Sequence, residues 1–264
     1  MSRKSLFKFY GELLPSELIP EIRAGYALNR PAGSFGIEVD GRKVTIEFVA
    51  SYESFDELYL ETYELALAFF SVGAIRLGIP IQLQLQGWTE HPLQGSGEAQ
   101  QLRPVRGTIS TEDPDAIAVL LMPDQFTFGL ANGVMWAEDL ATNSFLRRAV
   151  LDFNFALNHP LQDVPIYLAR SIESVQVFFQ GENELISVLE VGSQVKKVKR
   201  MANDALSGLH TRHAAKTEKV VPLSRQEVID AANATRDVLT KFQMYLMGKR
   251  IQRDAQIDQG LGDA

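Results

Sequence analysis

The chain contains no cysteine. That excludes a disulfide framework, a thiolate-ligated zinc site, an iron–sulfur cluster and a thiol nucleophile. It also lacks an overall excess of positive charge. Its 26 lysines and arginines stand against 33 carboxylates, for a net charge of −7, which argues against a surface that grips nucleic acid all over. No uninterrupted apolar run reaches membrane-spanning length. The most apolar stretch, residues 58–77, is broken by Glu61, Glu64 and Arg76 and reads as a buried helix. The first ten residues carry Arg3, Lys4 and Lys8 but no apolar core of signal-peptide length. A prokaryotic-style, soluble, cytoplasmic protein with no membrane contact is expected.

Several chemical motifs are missing too. Gly95-Ser96-Gly97 has neither the lysine nor the spacing of a phosphate-binding loop, and it is too short for a nucleophile elbow. Glu112, Asp113 and Asp115 flank Pro114 as a turn would, without the twelve-residue calcium pattern. Trp88 and Trp136 are placed at element ends, where amphipathic rings are common.

Hydrophobic residues make up 45% of the chain, enough for one large or two small cores. The first thirty residues give weak signals. Leu13, Leu14, Leu18, Ile19 and Ile22 suit a short helix between Pro15 and Pro20, or a packed arm. Residues 35–39 and 44–49 then read as a hairpin around Asp40-Gly41. Ser54 and Glu57 form a capping box for a helix with Leu58, Leu65, Phe69 and Val72 on one stripe, and Gly78 and Pro80 stop it. Ile81, Leu83 and Leu85 alternate with three glutamines as a half-exposed strand, and residues 87–97 read as a loop. Residues 105–109 and 116–122 supply two more strands.

From about Trp136 the pattern is helical only. One helix covers residues 146–157. A second is opened by Asp163 and Pro165 and ends at Gly181. A third runs from about Glu184 to Leu206. A fourth is capped by Ser224 and Glu227, carries Val228, Ala231, Thr235, Val238, Phe242 and Tyr245, and closes at Gly248. The expected fold is α+β: a small mixed unit of strands and helix over 1–135, an all-helical bundle over 136–250, and a flexible tail over 251–264.

The charge is unevenly spread. Residues 196–219 hold seven lysines and arginines against two carboxylates, a local +5 in a chain of −7. Lys196, Lys197, Lys199, Arg200 and Lys216 are the candidate contacts to RNA or another polyanion; a solvated helix end is the plainer reading. His210-Thr211-Arg212-His213 falls in the same segment. A histidine can move protons near neutral pH, and Arg212 can stabilise negative charge on phosphorus, which is what metal-independent RNA cleavage needs. The plain alternative is two histidines facing water. No carboxylate stands at ligand spacing beside them, so no metal and no cofactor is expected. Arg170 and Glu173 share a helix face at i, i+3 and read first as a structural ion pair, second as support for a site.

Residues 165–173 (Pro-Ile-Tyr-Leu-Ala-Arg-Ser-Ile-Glu) resemble the second helix of HEPN-type helical domains. The later order is similar as well: a long basic helix, an Arg-His corner, and a capped helix over 224–246. The resemblance covers roughly residues 146–248. It implies a four- to five-helix bundle of the kind found in bacterial toxins, phage-defence proteins and CRISPR-associated nucleases, often paired through helices. Many members are ribonucleases with an arginine four to six residues before a histidine. No arginine stands at that spacing before His210 or His213, and Arg200 is too distant. The departure favours a non-enzymatic binding or assembly module. The alternative is a ribonuclease using His210, His213 and Arg212 or Arg200, and small-molecule binding is a third option.

Overall fold

The computed structural model describes residues 5–14, 22–30, 33–50, 55–92, 108–109, 136, 138–159, 163–203 and 224–260. The fold is α+β, in two compact units, Met1–Val134 and Met135–Ala264.

In the first unit the described strands are β1 (Ser5–Leu14), β2 (Ile22–Arg30), β3 (Gly33–Gly41), β4 (Lys43–Ala50), β5 (Gln82–Pro92) and β6 (Thr108–Ile109). They form one sheet in the order β5-β1-β4-β3-β2-β6, with every pairing antiparallel. Helix α1 (Phe55–Leu77) lies between β4 and β5 in sequence. Period two sets the layers. Phe7, Phe9 and Leu13 on β1, Phe35, Ile37 and Val39 on β3, and Val44, Ile46 and Phe48 on β4 are all buried. The register puts Phe7 beside Phe48 and Phe9 beside Ile46, so these residues share one face. Leu58, Leu65, Ala66 and Val72 bury the stripe of α1. Each fully buried large side chain contributes roughly 1.5–3 kcal/mol. By length and composition Asp56–Ile75 could cross a membrane, but 61% of it is buried inside the protein, the property of a core helix.

The opposite sheet face mixes apolar Leu6 and buried Val49 with polar Lys8, Thr45 and Glu47. Lys8 pairs with Glu47 directly across the β1–β4 ladder at 2.5 Å. Glu47's hydrogen bond is the main cause that raises the Lys8 pKa.

Several local expectations are corrected. Residues 5–14 form a strand, because Ser5, Phe7, Phe9, Gly11 and Leu13 alternate inward against Lys8, Tyr10 and Glu12. Ile22 opens β2; Leu18 and Ile19 lie outside the described residues. The β3–β4 turn is Gly41-Arg42, one residue later than Asp40-Gly41, since Asp40 pairs with Lys43. Gly41 takes the positive φ of +65° that this turn needs at its first central position. The turn is tied down where Leu13 donates its N–H to the Arg42 carbonyl at 3.0 Å. β5 continues through Gly87 to Pro92, where a loop was expected, so Trp88 lies within a strand. A register shift at Tyr10/Gly11 makes that extension possible. There the strands approach so closely that a Cβ on Gly11 would sit 2.4 Å from the Gln84 carbonyl oxygen. Of the expected strand at 105–109 only Thr108–Ile109 is described. The Ser54 cap and the strand at 116–122 lie outside the described residues.

The second unit is helical: α2 (Ser144–Leu157), α3 (Val164–Phe178), α4 (Glu182–Leu189), α5 (Gly192–Asn203) and α6 (Arg225–Gly260). Asn143 caps α2, accepting the Leu146 N–H at 2.9 Å. The buried Ser171 hydroxyl donates to the Ala149 carbonyl at 2.8 Å and stitches α3 to α2. Leu146, Val150, Phe153, Leu168, Ile172, Val195, Val198, Val228, Val238 and Phe242 are buried. Phe178, Phe179, Phe242 and Tyr245 form an aromatic cluster with centroids 4.9–6.3 Å apart.

Three helix ends differ from expectation. α3 closes on Gln180, at φ +60°, and not on Gly181. The Gly181 N–H reaches the Gln176 carbonyl and the Gln180 N–H reaches that of Val177, a Schellman pair of bonds. The expected helix 184–206 is two helices, broken where Glu190 turns left-handed at φ 54°. α6 passes straight through Gly248 to Gly260, so the proposed C-cap is a mid-helix residue and the expected tail begins as helix. Arg250 explains why the helix is held beyond Gly248. It ion-pairs with Glu138 at 2.6 Å and with buried Asp139 at 3.1 Å. Gln243 donates to the other Asp139 oxygen at 3.2 Å.

Candidate polyanion-binding surface

Helix α5 carries four of the cations singled out in the sequence. Val195, Val198 and Ala202 face the bundle, and this spacing sends the lysines outward. The four are not equivalent. Lys199 folds inward, donating to Gln176 of α3 at 2.9 Å and ion-pairing with Glu182 of α4. Lys197 lies 4.0 Å from Asp230 of α6, with both side chains about half exposed. Such pairs are worth little at a surface and exchange readily with other anions. Lys196 and Arg200, one helical turn apart, are exposed and share a helix face.

His210, Arg212, His213, Lys216 and Lys219 lie outside the described residues. The structure therefore brings together Lys196, Lys197, Lys199 and Arg200 on one helix and does not place the histidine–arginine group.

Arg170 and Glu173 lie on α3, at a different place. Arg170 ion-pairs with Asp152 of α2 at 3.0 Å, although the spacing suggested Glu173. Asp152 is 4% exposed, and its Oδ2 has no hydrogen-bond partner among the described residues. Burial raises the Asp152 pKa above the ordinary carboxylate value, against the opposing pull of Arg170 and Arg148. The Arg170 guanidinium stands 5.4 Å from the Tyr167 ring centre, and His159 lies 4.2 Å from the same ring. The His159 Nδ1–H donates to the Phe155 carbonyl at 2.6 Å. Asp152, Tyr167 and His159 were not singled out from the sequence. The available signal was the carboxylate at Asp152 between Leu151 and Phe153, one turn after Arg148. This cluster joins two helices through an ion pair whose carboxylate is buried and whose guanidinium is half exposed.

Among the described residues no three histidine, aspartate or glutamate side chains come together as metal ligands would. Comparison with protein-family models, with curated proteins and with solved structures finds no match.

Proposed function

We propose that the second unit is a cytoplasmic binding module, with a HEPN-like helical frame, that contacts the phosphates of RNA or a similar polyanion through α5 and the segment after it. The observation that carries this reading is the outward basic stripe of α5, Lys196 and Arg200 with Lys197 beside them. The helix leads directly into a segment with five more histidines and cations of interest, His210, Arg212, His213, Lys216 and Lys219. Phosphate contact by such a stripe is electrostatic and independent of base identity. Binding without cleavage is preferred because no arginine stands at the ribonuclease spacing before either histidine. The helix order, two packed helices, a basic helix and a long capped helix, supports the HEPN-like frame.

The test is fluorescence anisotropy of a labelled single-stranded RNA titrated with the full chain. Affinity should fall as salt rises, with a log–log slope of about −0.7 per phosphate contacted. Lys196→Glu combined with Arg200→Glu should weaken binding by more than about tenfold and flatten that slope by roughly one to two units. Both side chains are exposed, so circular dichroism should be unchanged. Equal affinity in parent and variant would refute the assignment of α5.

A further inference from the structure

Arg148, Asp152, Phe155 and His159 recur along α2 at helical spacing and share one stripe. Tyr167 and Arg170 of α3 meet that stripe. Phe155 stands edge-on to the Tyr167 ring at 6.4 Å, His159 lies 4.2 Å from the ring, and the Arg170 guanidinium 5.4 Å from its centre.

Arg170 is held in a set plane. Asp152 Oδ1 grips its Nη2 at 3.0 Å, and the Tyr167 ring lies beside it. The group so fixed carries five N–H donors in a rigid fork, and its side chain is still 46% exposed. An arginine oriented in advance loses less freedom when an anion arrives. Arg148 belongs to the same place. Burial raises the Asp152 pKa, and Arg170, then Arg148, pull against it, so both guanidiniums stand near one carboxylate. Asp152 is buried, whereas Arg148 and Arg170 are exposed; Glu173, one turn on, is less exposed than either. The charge turned to solvent here is therefore positive. Phe155, on the same stripe, is 38% exposed.

We propose that Arg148 and Arg170 form a second, discrete site on the helical unit, which takes the 5′-phosphate end of an RNA, with the monoester on the two guanidiniums and the terminal base on Phe155. A phosphate monoester carries nearly two negative charges and three acceptor oxygens, enough to engage both forks. A backbone phosphodiester carries one charge and engages them less fully. An unstacked terminal base finds a ring face at Phe155. Asp152 and Tyr167 are positioning residues, since they act through Arg170. A phosphoserine peptide offers the same phosphate but no base for Phe155. The lysine stripe of α5 contacts phosphates along a strand, while this site reads an end, so the two stand or fall separately.

The test titrates the full chain into two 3′-labelled single-stranded RNAs of one sequence, one with a 5′-phosphate and one with a 5′-hydroxyl. The phosphorylated RNA should bind more tightly by about tenfold. Arg148→Gln should bring that ratio close to one. So should Arg170→Gln combined with Asp152→Asn, which leaves no buried carboxylate unpaired. Lys196→Glu/Arg200→Glu should weaken both RNAs alike and keep the ratio. Inorganic phosphate should compete only at concentrations about a hundred times those of the phosphorylated RNA. The proposal is overturned if the parent binds the two RNAs equally, or if the ratio survives both arginine variants. It is also overturned if inorganic phosphate or a phosphoserine peptide displaces the phosphorylated RNA as well as unlabelled RNA does. Equal binding of the two RNAs leaves the α5 reading intact. Binding of the phosphorylated RNA alone, lost with Arg148→Gln, upholds this site and removes the α5 reading.

Discussion

Asp152 shows how strongly one residue's setting departs from its neighbours' along the chain. It sits between two apolar residues on α2, almost without solvent, and Arg170 reaches it from the next helix. Burial raises its pKa more than Arg170 and Arg148 lower it. The native protein therefore holds this proton more tightly than the unfolded chain does. The stability tied to this group increases as pH falls through the raised native value, and levels off below the unfolded value of about 3.9. Urea unfolding of the parent and of Asp152→Asn at steps from pH 7 to pH 4 isolates the effect. The parent should gain stability relative to the variant as the solution becomes more acid. A difference moving the other way would mean that the arginines outweigh burial. The sequence made Arg170 visible as a charged residue on an apolar helix. It did not reveal Asp152 as the partner, because an i, i+3 spacing advertises only contacts within one helix, and this contact crosses between two.

At the scale of elements, the readable features were those with local causes. Ser224 and Glu227 form the capping box their spacing suggested: the Ser224 N–H donates to Glu227 Oε2 at 2.9 Å, and the Glu227 N–H donates to Ser224 Oγ at 3.2 Å. The Ser224 hydroxyl, which donates to the same Glu227 oxygen at 2.7 Å, and after it the Ser224 N–H hold the Glu227 carboxyl below its usual pKa. Helix ends set by packing were harder to read. Glycine is the usual signal for a left-handed closing residue, yet Gln180 and Glu190 take that conformation while Gly181 and Gly192 stand one and two residues later. Gly248 misled in the opposite sense, since the ion pairs of Arg250 carry α6 past it. A left-handed glutamine is a local strain that glycine relieves. Gln180→Gly should raise the unfolding free energy by up to about 1 kcal/mol, read as a higher urea midpoint. A loss of similar size would show that the glutamine side chain contributes more than the strain costs. β1 was missed because Leu6 and Leu14 blur its alternation, and β5 was cut short because Gly87 looks like a loop residue when its role is to lie beside a strand irregularity.

For the whole molecule, the α+β class and the change of texture near residue 135 were legible because sheet and helix periodicities differ over tens of residues. The net charge of −7 is an average that conceals two opposite surfaces. In the first unit, among the described residues, half-exposed Trp88 and Tyr59 are accompanied by the exposed carboxylates Asp56, Glu57, Glu64 and Glu90. In the second, α5 turns a basic stripe outward and leads into a cation-rich segment. The candidate site was legible as composition, since lysines cluster along the chain. The division among them was not, because it depends on Glu182 and Asp230 arriving from other helices to engage Lys199 and Lys197. The central claim is that this surface binds a polyanion without cutting it. A native gel of end-labelled RNA incubated with the full chain in chelator, run beside a denaturing gel of the same samples, tests that claim most directly. The account predicts a shifted band that runs at full length once denatured, and no shift with Lys196→Glu/Arg200→Glu. Fragments that accumulate with the parent and vanish with His210→Ala/His213→Ala would contradict it.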